Sequence, residues 1–348
     1  MNKNLYIILA ILLSAATVFA GNPDRQGEAG AYELLMNPWA RSAGLHTMNT
    51  SSISGVEAMR LNPAGLSRIN NTELVFGSAI YLQGTGVQLN SFGLSQKVGK
   101  EGQGAFGLSV MAVDFGDIAV TTTAQPEGTG ATFSPAWLNI GFGYGHTFEN
   151  KVSVGLLLRV ISESTADISA FGFAIDAGVQ YVAGEEDNFK FGISLRNIGS
   201  PMSFGGEGLS EQLVNSEGTQ LTFNRRSANF ELPSVLNIGG SYDFLFSGNS
   251  RLTALANFTS NSFSQDNIGA GFEYAFNEMF MVRGGYKYTF GQGQNDGIED
   301  PVYTGLSGGL SVMVPFKKDS NRKIGIDYAY RSTNPFKGTH NVSVRLAF

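Results

Sequence analysis

From about residue 72 to its last residue, this sequence is a succession of segments in which apolar residues alternate with small or polar ones. No other feature limits the fold as sharply. Period-two alternation puts successive side chains on opposite faces of a strand. In "WLNIGFGYGHTF", Leu138, Ile140, Phe142 and Tyr144 share one face, and Asn139, Gly141, Gly143 and Gly145 share the other. "KVSVGLLLRV" sets Val152, Val154, Leu156 and Leu158 against Ser153, Gly155, Leu157 and Arg159. "FGFAIDAGVQY", "FKFGISLRN" and "KIGIDYAYR" follow the same rule. About 14 such segments begin near residues 73, 86, 104, 136, 151, 168, 188, 234, 250, 267, 279, 303, 322 and 340. Most can supply the roughly 9–11 residues that a tilted strand needs to cross a bilayer.

The second face carries Gly, Ala and Ser together with charges of both signs. These are Arg159, Asp176, Lys190, Arg196, Asp243, Glu273, Arg283, Lys287, Asp327 and Arg345. A two-sheet sandwich would turn its polar face to bulk water and would not need small residues there. A cylinder whose interior is crowded by a plug and by cross-lumen ion pairs would. Composition agrees: Gly is 45 residues and Phe 26, and charged residues are 15%, against about 25% in an ordinary soluble domain.

The connections alternate in length. They are tight after even-numbered segments ("GKEGQ", "ENK", "GEEDN", "SGNS", "NE", "KKDSN") and usually longer after odd-numbered ones, notably 116–135, 199–233 and 291–301. Short periplasmic turns and long outer loops characterise outer-membrane barrels. Even-numbered segments also end in aromatics, namely Phe148, Tyr181, Phe246, Phe276, Phe316 and Phe348, as expected of an interfacial girdle. The expected fold is therefore all-β: a transmembrane antiparallel β-barrel of about 14 strands over residues 72–348, integral to a Gram-negative outer membrane and surrounded by its lipid. Phe348 closes the last strand at the inner girdle. A β-propeller would need a blade repeat of about 40–45 residues, and none is present.

The first twenty residues, "MNKNLYIILAILLSAATVFA", combine one charge at Lys3, an apolar run and small residues before Gly21. They predict a secretory signal peptide, residues 1–20. Gly21 in place of Cys gives no lipid attachment point. There is no Cys, so an exported chain must rely on packing and hydrogen bonds. A net charge of −6 speaks against a nucleic-acid partner.

Residues 21–71 do not alternate. Short helices and turns are expected there, with Ser52 or Ser54 capping a turn through Met59, and a stop at Asn62 because it precedes proline. Such a segment fits inside or under the lumen as a partly helical plug. Its "NPAGL" motif, Asn62, Pro63, Ala64, Gly65 and Leu66, resembles the hatch of long-chain fatty-acid transporter (FadL-like) barrels. The stretch "ELLMNPWARSAGLHTMNTSSISGVEAMRLNPAGL", with "SLRNIGSPMSF" at 194–204, is more similar to the PorV/PorQ family of Bacteroidetes-type bacteria. That resemblance implies a 14-strand barrel with a plug, working with the type IX secretion system. It also implies binding of cargo C-terminal domains, the translocon or the attachment complex. A terminal strand ending in Phe348 resembles the signal read by barrel-assembly machinery.

A partner-binding barrel needs a gripping surface, and the longest outer loop offers one. Met202, Phe204, Leu213, Phe223, Arg225, Arg226 and Phe230 are its candidate contacts, since aromatics and arginines anchor interfaces. The same loop could instead fold in as a lid. Arg159, Asp176, Arg196, Glu273, Arg283, Asp327 and Arg345 are the candidate lumen charges. No catalytic constellation, metal-ligand spacing or cofactor motif is legible, so a non-enzymatic role is expected. The alternative function is transport of hydrophobic small molecules through the lumen.

Overall fold

The computed structural model describes residues 21–99, 102–214, 218–246, 249–293, 301–316 and 322–348; the expected leader, 1–20, lies outside them. The strands are β1 (Thr72–Ile80), β2 (Gln88–Val98), β3 (Gly104–Asp114), β4 (Ile118–Ala119), β5 (Thr132–Phe133), β6 (Ala136–Thr147), β7 (Val152–Thr165), β8 (Ile168–Ala183) and β9 (Phe189–Gly199). There follow β10 (Ser210–Val214), β11 (Gln220–Asn224), β12 (Val235–Phe246), β13 (Ser250–Asn261), β14 (Asn267–Phe276), β15 (Phe280–Thr289), β16 (Tyr303–Pro315), β17 (Lys323–Thr333) and β18 (Thr339–Ala347). Fourteen of these close into one antiparallel barrel, with β1 paired to both β2 and β18. The pairs β4–β5 and β10–β11 lie outside the barrel, within its loops.

The alternation read from the sequence is the inside–outside pattern of the wall. Leu156 is 62% exposed and Phe142 54%, whereas Ser153, Asp176 and Arg345 are at most 3% exposed. A wall with apolar side chains outside and charges inside is the inverse of a soluble sandwich and suits hydrocarbon. Among the described residues, no helix is long and apolar enough to cross a membrane. Several strands outrun the expected crossing length: β8 has 16 residues and β7 14. These two form a tall hairpin through Ala166 and Asp167, against which the long loop packs.

Residues 21–71 thread the lumen from end to end. The amide of Gly21 donates to Asp266 Oδ2 at 2.7 Å, beside the β13–β14 connection at the long-loop end. The chain then winds round the interior wall. The helical turn Ala40–Ala43 packs on β16, β17 and β18. Leu45 and Met48 lie against Leu255 of β13, and Ser51 Oγ meets Ser241 Oγ of β12 at 3.0 Å. Val56 packs with Val75, and the turn Pro63–Ser67 packs on β3, β6, β7 and β8. The segment leaves at the short-turn end, where Thr72 begins β1 and pairs with Phe348.

One local expectation is corrected. Ser54 occupies the N-cap of the turn Gly55–Glu57, but its side chain makes no capping bond. A carboxylate of the wall takes that role: Val56 N donates to Glu73 Oε1 at 2.9 Å. The next turn, Ala58–Leu61, ends where expected. Asn62, ahead of Pro63, is extended, and its Oδ1 accepts from Ala64 N at 3.2 Å to start the following turn.

Candidate functional site

The plug is seated on bare backbone. Gly155 and Gly178 face inward from β7 and β8, where an added Cβ would collide with the Pro63 backbone and the Asn62 side chain. At Gly107 it would lie 2.6 Å from Met59 Sδ. Glycine thus lets the "NPAGL" turn approach the wall to backbone contact. Asn62, fully buried, fastens it: Nδ2 donates to Thr50 O and to Val179 O, each at 3.1 Å. Gln180 Nε2 reaches Thr50 O and Ile53 O, each at 3.0 Å.

The candidate lumen charges fall into two networks that join wall to plug. In the first, Arg159 Nη2 meets Asp176 Oδ2 at 2.7 Å and donates to Met59 O at 3.1 Å. Asp176 lies at a register shift between β8 and β9, and its other oxygen accepts from Asn197 N at 2.6 Å. Arg196 donates to Arg60 O. In the second, Arg283 meets Glu273 at 2.5 Å and Ser311 Oγ at 2.5 Å, and Ser311 donates to Asp327. Arg345 bridges Asp327 at 2.8 Å and Glu57 of the plug at 3.2 Å. Glu57 also accepts from Ser42 N at 2.9 Å.

Sequence reasoning named the wall charges but missed the plug charges Glu33, Arg41, Glu57 and Arg60, of which Glu57 pairs with Arg345 and Arg60 offers its carbonyl to Arg196. All but Arg41 are buried, and Arg41 is partly buried. The available signal was charge inside a segment assigned to the lumen, where each ion needs a counter-charge or a carbonyl. His46 is also buried there, its ring edge-on to Tyr303 at 5.5 Å. Burial, reinforced by Lys287 and Arg331, holds its pKa well below the usual imidazole value, so the ring is neutral.

The candidate loop divides into two parts. Met202, 2% exposed, pairs with Phe230 through two backbone bonds, and the Phe204 ring lies tilted against Phe230 at 5.7 Å. These three cover the mouth together with Ala31, Leu34, Ile161 and Leu232. Leu213 and Phe223 belong instead to the β10–β11 hairpin, in which Leu213 faces Leu221 and Glu211 faces Phe223. Both are exposed, as are Val214, Leu221, Arg225 and Arg226. Arg225 meets Glu211 at 2.5 Å on the surface. Phe348 stacks on Phe316 at 6.4 Å at the short-turn end, so those two girdle rings touch.

A closed 14-strand barrel with an apolar exterior and a lumen occupied by its own N-terminal segment defines an outer-membrane-type barrel protein. A family model described as "Type IX secretion system membrane protein PorP/SprF" matches residues 47–346, and the chain belongs to that family. The matching model carries this name rather than that of the PorV/PorQ branch resembled by residues 30–70 and 194–204. No curated protein matches the chain. Among solved structures, it is similar to the Pseudomonas putida toluene transporter TodX (12% identity, 88% of this chain and 96% of that one, TM-score 0.55). It is also similar to the Ralstonia pickettii toluene transporter TbuX (14% identity, 89% and 97%, TM-score 0.52). A Pseudomonas aeruginosa FadL homologue aligns at 12% identity over 88% and 97%, with TM-score 0.51. At these identities the likeness is one of fold. The family is one of secretion-system membrane proteins.

Proposed function

We propose that this protein is a non-enzymatic, integral outer-membrane component of the type IX secretion system, which acts by holding protein partners and not by conducting solute. The short turns face the periplasm and the long loops face outward. Residues 1–20 are removed on export, 21–71 act as a plug, and 72–348 form the barrel. The observation that carries the reading is a division of labour in the structure. The lumen is occupied by a plug fastened through Asn62, Glu57 and Arg345, while the β10–β11 hairpin presents Leu213, Leu221 and Phe223 uncovered. A filled tube is poorly suited to passage, and an exposed apolar hairpin is suited to contact. The partners are translocon or attachment-complex proteins, or the C-terminal domains of cargo, in either a PorV-like or a PorQ-like role.

The test is affinity capture of the tagged protein from detergent-solubilised outer membranes. Recovery of a very large barrel or of proteins sharing one C-terminal domain is expected. Recovery of neither, together with specific uptake of labelled fatty acid, would replace the reading with hydrophobic transport.

A further inference from the structure

Apart from partner capture, the lumen contains a second feature. At the long-loop end, a cavity of about 250 Å³ lies between the plug residues Thr47 and Leu61 and the wall of β9 and β12–β16. Its charged lining residues are Lys287 and Arg196, and no acid lines it among the described residues. Elsewhere in the interior Arg159, Lys190, Arg251, Arg283 and Arg345 each meet a carboxylate, while Arg60 and Arg331 donate to plug carbonyls. The Lys287 side chain has no hydrogen bond or ion pair among the described residues, and the charges acting on it are the like charges of Arg331 and Arg196. Arg196 is 7% exposed; one end of its guanidinium donates to Arg60 O and Asp176 lies near, but its Nε is buried without a partner. The remaining lining is largely amide and hydroxyl, including Asn237, Thr259, Gln265 and Asn267.

A half-buried cation beside like charges is costly unless an anion joins it. We propose that the cavity is a binding site for an oxyanion, a carboxylate or a phosphate carried on a small polar molecule, held by Lys287 and Arg196. Leu35, Leu61 and Val235 complete the lining with apolar surface. At about 30 Å³ per water the space equals roughly eight waters, enough for a ligand the size of a sugar acid. The amides supply donors and acceptors for its hydroxyls, as Asn267 already accepts from Thr289 Oγ1 at 2.7 Å. Gln265 and Pro301 of the lining belong to connections at the long-loop end.

Calorimetric titration of the full-length, detergent-solubilised protein tests the proposal, with galacturonate, inorganic phosphate and glucose as probes. Galacturonate or phosphate is expected to bind, glucose not, and K287M is expected to weaken the anion at least ten-fold. Selective binding of galacturonate identifies a sugar acid as the ligand type; selective binding of phosphate identifies the free ion. K287M should migrate as a heat-modifiable barrel, because it removes a cation without a counter-charge. Should it fail to fold, N267D carries the test by placing a carboxylate at the site, with the same loss of binding expected. The proposal is overturned if neither anion binds, if glucose binds as galacturonate does, or if the variants that fold bind like the native protein.

Discussion

At the scale of single residues, the most consequential positions are those without side chains. Gly155 has no room for a methyl group, because the Pro63 backbone occupies it, and neither partner is a flexible side chain that could swing away. Gly155→Ala is therefore expected to destabilise the docked plug by about 1–3 kcal/mol, the usual cost of forcing atoms into a packed site. The check is limited proteolysis of the folded protein, with cleavage inside residues 21–71 rising in the variant while the barrel core survives. Gly240 of β12 has open space around an added Cβ, and Gly240→Ala serves as the neutral control. A change that separates the plug from the wall at Gly155 also tests whether "NPAGL" is a seat or only a turn.

At the scale of elements, the outer loop is two structures in one. Its base, Met202 with Phe230, is core; its tip, β10–β11, is surface. Replacing residues 210–224 by a short Gly/Ser link is expected to leave heat-modifiable migration unchanged and to abolish partner capture. Met202→Ala is expected to do the reverse, costing about 2–5 kcal/mol in stability with the hairpin intact. Denaturant titration and affinity capture on the same two variants separate the roles. This division was not legible in the sequence, where Met202, Leu213 and Phe230 look alike: apolar residues in a polar loop. The strands, by contrast, were legible almost to the residue. Segments expected near 104, 136, 168, 250 and 267 begin at Gly104, Ala136, Ile168, Ser250 and Asn267. Lipid enforces that clarity, because every second side chain must be apolar across the whole crossing, so the local pattern carries the answer. The ion pairs depend on register and on the path of the plug. Arg159 sits directly opposite Ala174, and its partner Asp176 sits opposite Leu157, so the contact is diagonal and cannot be read from either strand alone. The plug partners Glu57 and Arg60 were still harder to find, since no periodicity marks a segment whose contacts with the wall are distant in sequence.

At the scale of the whole molecule, the occupied lumen sets the expected electrical behaviour. In planar bilayers the intact protein is expected to show no steady open-channel current. A variant lacking residues 29–67 is expected to leak, or to fail assembly altogether; steady large conductance from the intact chain would contradict the filled tube. The same architecture bears on how the molecule is put together. The plug touches the wall on β16–β18, on β12–β13 and on β6–β8, so the cylinder is moulded on it from nearly every side. Its first described residue sits at the long-loop mouth, and its exit lies beside the joint between the first strand and the last. A ring sealed early would leave that winding segment stranded outside. The β1–β18 joint is therefore expected to close last, when the wall has already wrapped its own contents, as a cooper sets the last stave.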